Sequence, residues 1–306
     1  MKLLLVVNPT ASAVKPKGRA AIERALSVDH DLAVVETAER DHATELARDA
    51  ASDGIEVVVV LGGDGTQNEA ANGLAGTSTA LAALPGGSTN VFARTIGFPN
   101  DAVAATDELV AALAGDARRR VGLGTANGRY FLFHVGLGFD AAVVEQVEKR
   151  SELKRRFGQA VFVYATFSTW FRHFDRSRPH FTVRFADEDV VDGYFAICLK
   201  TNPYTFLGKR PFNVAPDAGF DRRLAMVTFT DLRFATVGGA ALAALSGSGQ
   251  RLRQARSLEH RSDLESITVT AHQPFGYQVD GDYLGQVETL ELGHQPSCLD
   301  LICPPR

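Results

Sequence analysis

Across residues 1–120, unbroken apolar runs alternate with segments whose apolar positions recur every three or four residues. The runs KLLLVVN, DLAVVET, IEVVVVL and ALAALPGG are short and aliphatic, which predicts strands buried on both faces. Between and after them KGRAAIERAL, DHATELARDAASDG, TQNEAANGLAG and DAVAATDELVAALAGD carry helical periodicity, with Gly54 and Gly115 as stops. This alternation predicts an α/β domain with a parallel, doubly wound sheet. Beyond it the texture changes. HFTVRFADEDVVDGYFAICLK, RLAMVTFTDL, ESITVTAHQPFGYQVDGDYLG and VETLELG alternate apolar with polar positions, and Asn-Gly and Asp-Gly mark turns. That pattern predicts a mainly antiparallel second domain, interrupted by the helical stretches AAVVEQVEKR and GQAVFVYATFSTWFRHF. The boundary is expected near residue 120, giving domains 1–120 and 121–306, with CLDLICPP a candidate to pack back on the first.

Composition narrows the class. A chain of 306 residues, 45% hydrophobic and 22% charged, has ordinary globular values and is long enough for two cores. The net charge of −4 gives no general pull toward nucleic acid, so none is expected as a partner. Cys198, Cys298 and Cys303 are sparse, odd in number and outside any CxxC pair, which fits a reducing cytoplasm. The opening MKLLLVV stops at Asn8-Pro9, too short for a signal peptide, and ATVGGAALAAL is too short and glycine-broken to span a bilayer. A soluble protein is expected, peripheral at most. Lys149 to Arg178 holds eight Lys or Arg against two acidic residues, and Phe167, Trp170, Phe171 and Phe174 share one helical face. Such a face suits an anionic membrane surface or a core helix with solvated ends. His134 and His173 stand apart from other metal-ligating residues and read as structural.

The chemistry concentrates where the strands end. IEVVVVL runs into Gly62-Gly63-Asp64-Gly65-Thr66. Glycines permit unusual backbone conformations and close ligand approach, and a helix opening at Thr66 would offer free N–H groups to an anion. The spacing is neither a P-loop nor a dinucleotide fingerprint. No lysine sits in the cradle, and Asp64 would repel phosphate unless magnesium lies between them. A second corner, LPGGSTNVFARTIG, follows the next strand; NPTAS follows the first, and Thr37 ends another. Four strand ends with small polar or glycine residues predict a nucleotide-binding rim.

NPTAS, GGDGTQNEAANGL and PGGSTNVFARTIGFP, in this order, resemble the diacylglycerol and sphingosine kinase type of lipid kinase, and the likeness continues through HVGLGFDAAVV and QVDGD. NAD kinases share the first glycine corner, but PGGSTNVFA matches the lipid kinases. The resemblance implies an α/β domain, a β-sandwich domain and a site in the cleft between them. It implies ATP binding by Asn8, Pro9, Thr10, Ala11, Ser12, Thr37, Gly62, Gly63, Asp64, Gly65, Thr66, Gln67, Asn68, Ser88 and Thr89, with Asp64 helping to hold magnesium–nucleotide. The family ends its catalytic motif Asp-Gly-Glu with a glutamate base; here VDGDYL puts Asp282 there, one methylene shorter. GYQVDGDYLGQV also reads as a hairpin with Asp280-Gly281 in a type I′ turn, and a hairpin tip can present a carboxylate. The family's structural magnesium site follows a proline segment; in VAPDAGFDRRL the match is the Asp221 carboxylate with the Ala218 and Arg223 carbonyls, beside Arg222. The implied activity is phosphorylation of a lipid hydroxyl by ATP and Mg2+, with diacylglycerol the first choice. Expected partners are the lipid, the inner membrane face and a second copy of the chain. The alternatives are a non-catalytic nucleotide-binding protein and a kinase for a soluble substrate such as NAD.

Overall fold

The computed structural model describes residues 1–11, 15–148, 175, 177–247, 249–255 and 257–304. The chain forms two compact units, Met1–Leu123 with Pro296–Arg306, and Gly124–Gln295.

The first unit contains β1 (Lys2–Val7), α1 (Pro16–Ser27), β2 (Asp31–Glu36), α2 (His42–Ser52), β3 (Val57–Gly62), α3 (Asp64–Leu74), β4 (Ala80–Pro85), α4 (Val91–Thr95) and α5 (Ala102–Ala114). β5 (Arg118–Ala126) leads out of it, and the end of β16 (Asp282–Ile302) belongs to it. The strands run parallel in the order β2-β1-β3-β4, and Leu301 of β16 pairs with Leu81 beyond β4. Every residue of β3 and β4 is buried, which is why those runs are apolar without alternation. The helices cover the sheet through small residues: Ala43, Ala47 and Ala50 form the buried stripe of α2. A Cβ on Gly73 of α3 would meet the Thr44 carbonyl oxygen at 2.4 Å and Ala47 Cβ at 2.8 Å, so glycine there sets how closely α2 and α3 pack. Asp101 caps α5 by accepting from Val103 N–H and Ala104 N–H.

The C-terminal segment completes this unit. Leu299, Leu301 and Ile302 are fully buried. Gly76 N–H donates to the Cys298 carbonyl at 2.7 Å and Cys303 N–H to the Ala117 carbonyl at 3.1 Å. Arg120 donates to the Ser297 carbonyl and to Asp300, both at 2.8 Å.

The second unit is built from β6 (Arg129–Phe131), β7 (His134–Leu137), α6 (Phe139–Glu148), β8 (Phe181–Phe185), β9 (Val190–Gly193), β10 (Phe195–Leu199), β11 (Thr205–Leu207), β12 (Arg210–Phe212), β13 (Leu224–Phe229), α7 (Phe234–Ser246), α8 (Gly249–Arg253), β14 (Leu258–Leu264), β15 (Ser266–Val279) and the first part of β16. Its strands pair antiparallel in the order β14-β13-β10-β7-β15-β16, with β8 also on β15 and β9 on β8. Alternation along β10 sorts side chains to two cores. Phe195, Ile197 and Leu199 join a cluster with residues of α6 and α7. Ala196 and Cys198 join one with Phe181 and Val183 of β8 and Ile267 and Val269 of β15, so strands pack on strands across that face. Burial raises the Cys198 thiol pKa far above its ordinary value, so Cys198 is an inert core thiol. A parallel N-terminal sheet and an antiparallel, strand-rich second half are the fold class predicted from the patterning.

ATVGGAALAAL lies in α7, and among the described residues no helix is long and apolar enough to cross a membrane. The aromatic face of Phe167, Trp170, Phe171 and Phe174, with His173, lies outside the described residues, as does Ser12.

Candidate functional site

The order β2-β1-β3-β4 reverses direction between β1 and β3, and ligands of open α/β sheets bind outside the carboxyl ends of the strands at such a point. The backbone holds those ends together. Thr37 N–H donates to the Val7 carbonyl at 2.9 Å, Asn8 N–H to Leu61 at 3.0 Å and Gly86 N–H to Gly62 at 2.8 Å. Asn8, Thr37, the Gly62–Thr66 corner and the Gly86–Asn90 corner therefore share one edge. Asn8 Nδ2 donates to Thr66 Oγ1 at 3.0 Å, and Asn8 Oδ1 accepts from the Thr10 N–H and hydroxyl. Pro9, Thr10 and Ser88 are exposed, and Ala11 and Thr89 half-buried.

The glycines act by size at this edge. Gly62, Gly63, Gly65, Gly86 and Gly87 are absent from the residues with positive φ, so left-handed backbone is not their reason. A Cβ on Gly86 would lie 2.8 Å from Gly62 N, and one on Gly87 3.0 Å from Gly63 Cα. The two corners touch backbone to backbone, and glycine is what permits it. Gln67 and Asn68, expected at the nucleotide, are buried. Gln67 Nε2 instead reaches the carbonyls of Gly62 at 3.4 Å and Leu84 at 3.1 Å, tying the corners from beneath.

Helix α3 opens two residues before the predicted start, with Gly63 as N-cap and Gln67 N–H to the Gly63 carbonyl as its first turn-closing bond. Asp64 thus occupies the first turn, where a carboxylate complements the helix dipole. Its two oxygens accept from Val91 N–H at 3.0 Å and Phe92 N–H at 2.9 Å. Asp64 therefore clamps α4, and with it the second corner, onto the first. Asn90 completes that corner: left-handed at φ 52° and buried, it accepts from Gly87 N–H at 2.7 Å and donates to the Gly87 carbonyl at 2.9 Å.

Sequence reading missed a cation at this edge. Arg94 lies in α4, donates to the Thr89 carbonyl at 3.3 Å and feels the Asp64 charge. Burial lowers the pKa of its guanidinium and Asp64 partly offsets that, so Arg94 stays a cation beside the second corner. The signal was the arginine in NVFART, which only a short helix after the corner brings back to it.

In the second unit the β15–β16 hairpin turns at Asp280-Gly281, with φ of 48° and 91° and Val279 paired to Asp282. This is the two-residue type I′ geometry that Asp-Gly predicts. Asp280 is buried, and its carboxylate accepts from Leu132 N–H at 2.6 Å and from Phe133 and His134 N–H, each at 3.0 Å. That anchor fixes the hairpin tip; Asp282, two residues on, is half-buried and follows the turn. His134 is buried beside Phe133 and Tyr204, its Nδ1 finds no hydrogen-bond partner, and burial lowers its pKa to about 3. A neutral core imidazole is the result, in line with the structural reading. Elsewhere in this unit Asp221 and Arg223 are exposed and Ala218 is half-buried. Arg223 pairs with Glu265 at 3.3 Å.

Residues 2–126 match the family model described as the diacylglycerol kinase catalytic domain. The chain is 37% identical over 155 residues to a protein named "Probable lipid kinase YegS-like" from Chromohalobacter salexigens, covering 49% of this chain and 48% of that one. It is 36% identical over 123 residues to a diacylglycerol kinase of Bacillus subtilis, covering 39% of each. These alignments span about half or less of the relatives' own length. A crystal structure of a diacylglycerol kinase from Bacillus anthracis str. Sterne has a TM-score of 0.71 to this chain, covering 99% of this chain and 97% of that one at 21% identity, and so shares the fold. Over residues 2–126, then, the chain is similar to the diacylglycerol kinase catalytic domain, and over nearly its whole length it shares the fold of the Bacillus anthracis structure.

Proposed function

We propose that this protein is an ATP-dependent lipid kinase that phosphorylates a lipid hydroxyl, with diacylglycerol as the first candidate and phosphatidic acid as product. The observation that carries the reading is the stitched edge of the parallel sheet, where Asn8, Thr37 and two touching glycine corners meet the first turn of α3. An anion is favoured there by N–H groups and the helix dipole. In this reading ATP lies against Asn8 to Ala11, Thr37, Gly62 to Thr66 and the Ser88 and Thr89 hydroxyls, while buried Gln67 ties the corners. The lipid oxygen forms a bond to the γ-phosphorus, the bond from that phosphorus to the β,γ-bridging oxygen breaks, and ADP leaves with the electron pair. Asp282 takes the hydroxyl proton, and Arg94 adds positive charge near the second corner.

Magnesium would come with the nucleotide. Asp64 offers a carboxylate at this edge, but both its oxygens already accept N–H groups. Among the described residues no three His, Cys, Asp or Glu form a cluster that could hold a metal. The ion would therefore be held chiefly by the phosphates, where it neutralises their charge. The protein would meet its lipid at a membrane surface, with the basic and aromatic segment Lys149 to Arg178 as the candidate contact.

The test is transfer of labelled γ-phosphate into mixed micelles containing diacylglycerol, with wild type and Asp282→Asn. Transfer by wild type, falling by roughly 100-fold or more in Asp282→Asn, is expected for loss of a general base. ATP binding with no labelled lipid would leave a nucleotide-binding protein, and labelled NAD in place of lipid would make the substrate soluble.

A further inference from the structure

Lys200 is a buried cation that the phosphotransfer reading does not use. It follows β10 directly and is fully buried. An ammonium removed from water is tolerated only where other groups take all of its hydrogen bonds. Here Lys200 Nζ donates to the carbonyls of Gly219 at 3.1 Å, Phe220 at 3.2 Å and Arg222 at 2.5 Å. Three carbonyls match the three N–H groups that an ammonium carries, and such charge-assisted bonds are the strong ones. All three belong to one short turn, closed by Arg222 N–H to the Gly219 carbonyl at 2.9 Å, just before β13 begins at Leu224.

Carbonyl oxygens converging from one loop are what a hard cation asks for. The family resemblance places a structural magnesium at this same loop, on Asp221 and the carbonyls of Ala218 and Arg223. The residues present do not fit that ion. The converging carbonyls are those of Gly219, Phe220 and Arg222, the charge at their focus is Lys200, and Asp221 is exposed at the surface of the turn. We infer that the Lys200 ammonium is the resident cation of the 218–223 loop, so that this chain holds the loop without a structural metal. The lysine is itself firmly seated. Lys200 N–H and Thr201 N–H donate to the Phe133 carbonyl at 2.9 and 3.3 Å, and Phe133 N–H donates to Asp280. The loop's cation and the anchor of the Asp280-Gly281 turn are thus joined through the backbone of one residue, Phe133.

The test uses nucleotide-free, full-length protein, so its outcome stands apart from whether phosphate is transferred. Wild type should melt at the same temperature in EDTA as in millimolar magnesium or manganese, and manganese binding followed by its paramagnetic resonance should show no tight site. Lys200→Ala should melt lower, by roughly 5 °C or more, and should regain part of that loss with methylammonium or magnesium, which wild type ignores. A wild-type melting temperature that falls in EDTA and returns with magnesium would overturn the inference. So would a stoichiometric manganese site abolished by Asp221→Ala, or a Lys200→Ala variant as stable as wild type. If Lys200→Ala does not fold, the wild-type melting and manganese measurements decide alone.

Discussion

Both oxygens of Asp64 hold backbone N–H groups of α4, so Asp64→Ala would leave two donors behind. Each such loss costs about 1–3 kcal/mol where water does not replace the bond. The urea midpoint of Asp64→Ala should therefore fall without nucleotide or metal; a residue needed only for magnesium would leave it unchanged. Asp280 and Asp282 should separate in the same way. Asp280→Asn keeps one acceptor oxygen but turns an amide toward buried N–H groups, with an expected loss of about 2 kcal/mol. Asp282→Asn should act mainly on turnover, with the smaller change in denaturation midpoint. His134 carries a pH dependence. Its folded pKa of about 3 lies below the unfolded value near 6.5. Stability is therefore fully present above that unfolded value and declines as pH falls toward 3, because only the unfolded chain takes the proton. His134→Gln should flatten the stability profile between pH 6 and 4 by about one proton's slope, ~1.4 kcal/mol per pH unit. Equilibrium unfolding at several pH values would read it. None of these contacts is visible in local sequence. Asp64 meets residues 27 and 28 positions away, and Asp280 reaches back 148 to Leu132. Only the Asp-Gly turn, whose cause is local, could be read directly.

At the scale of elements, the glycine corners show how a motif can be legible while its reason is not. The sequence marks both corners, and the resemblance marks their order. The cause inferred from composition, permissive backbone, gives way to contact between two backbones. Gly86→Ala tests this. Its Cβ would stand 2.8 Å from Gly62 N and 2.9 Å from Gly62 Cα, backbone atoms that cannot swing aside. The variant should lose about 1–3 kcal/mol, the usual cost of overpacking, and weaken ATP binding in a titration by calorimetry. Gly238→Ala in α7 is the control: its Cβ meets nothing within 4 Å and its φ is not positive, so stability should not fall. Helix α3 begins at Asp64 where Thr66 was predicted, because the glycines beside Asp64 hide a helical start from propensity. Helix α4 is too short for periodicity to announce, and it brings Arg94 to the edge.

For the whole molecule, the change from helical to alternating periodicity made two architectures legible, since each follows from how strands are covered. Where the last strand belongs was open to no such reading, because CLDLICPP is equally apolar against either unit. The structure gives it to the first. Leu299, Leu301 and Ile302 are fully buried, and each such side chain contributes about 1.5–3 kcal/mol. Their sum is comparable to the ~5–15 kcal/mol by which domains are stable. A chain ended at Gln295 should therefore lose the cooperative unfolding of Met1–Leu123, seen as protease sensitivity within β1 to β4; protection equal to wild type would refute this.

That return of the chain also bears on synthesis. The ribosome releases β1 to β4 first, then all of residues 124–295, and only afterwards the strand that lies beside β4. Throughout that interval the wholly apolar β4 is an uncovered edge, the kind of surface on which nascent chains pair with one another. The first unit, although most of it is made first, is the one that finishes folding last.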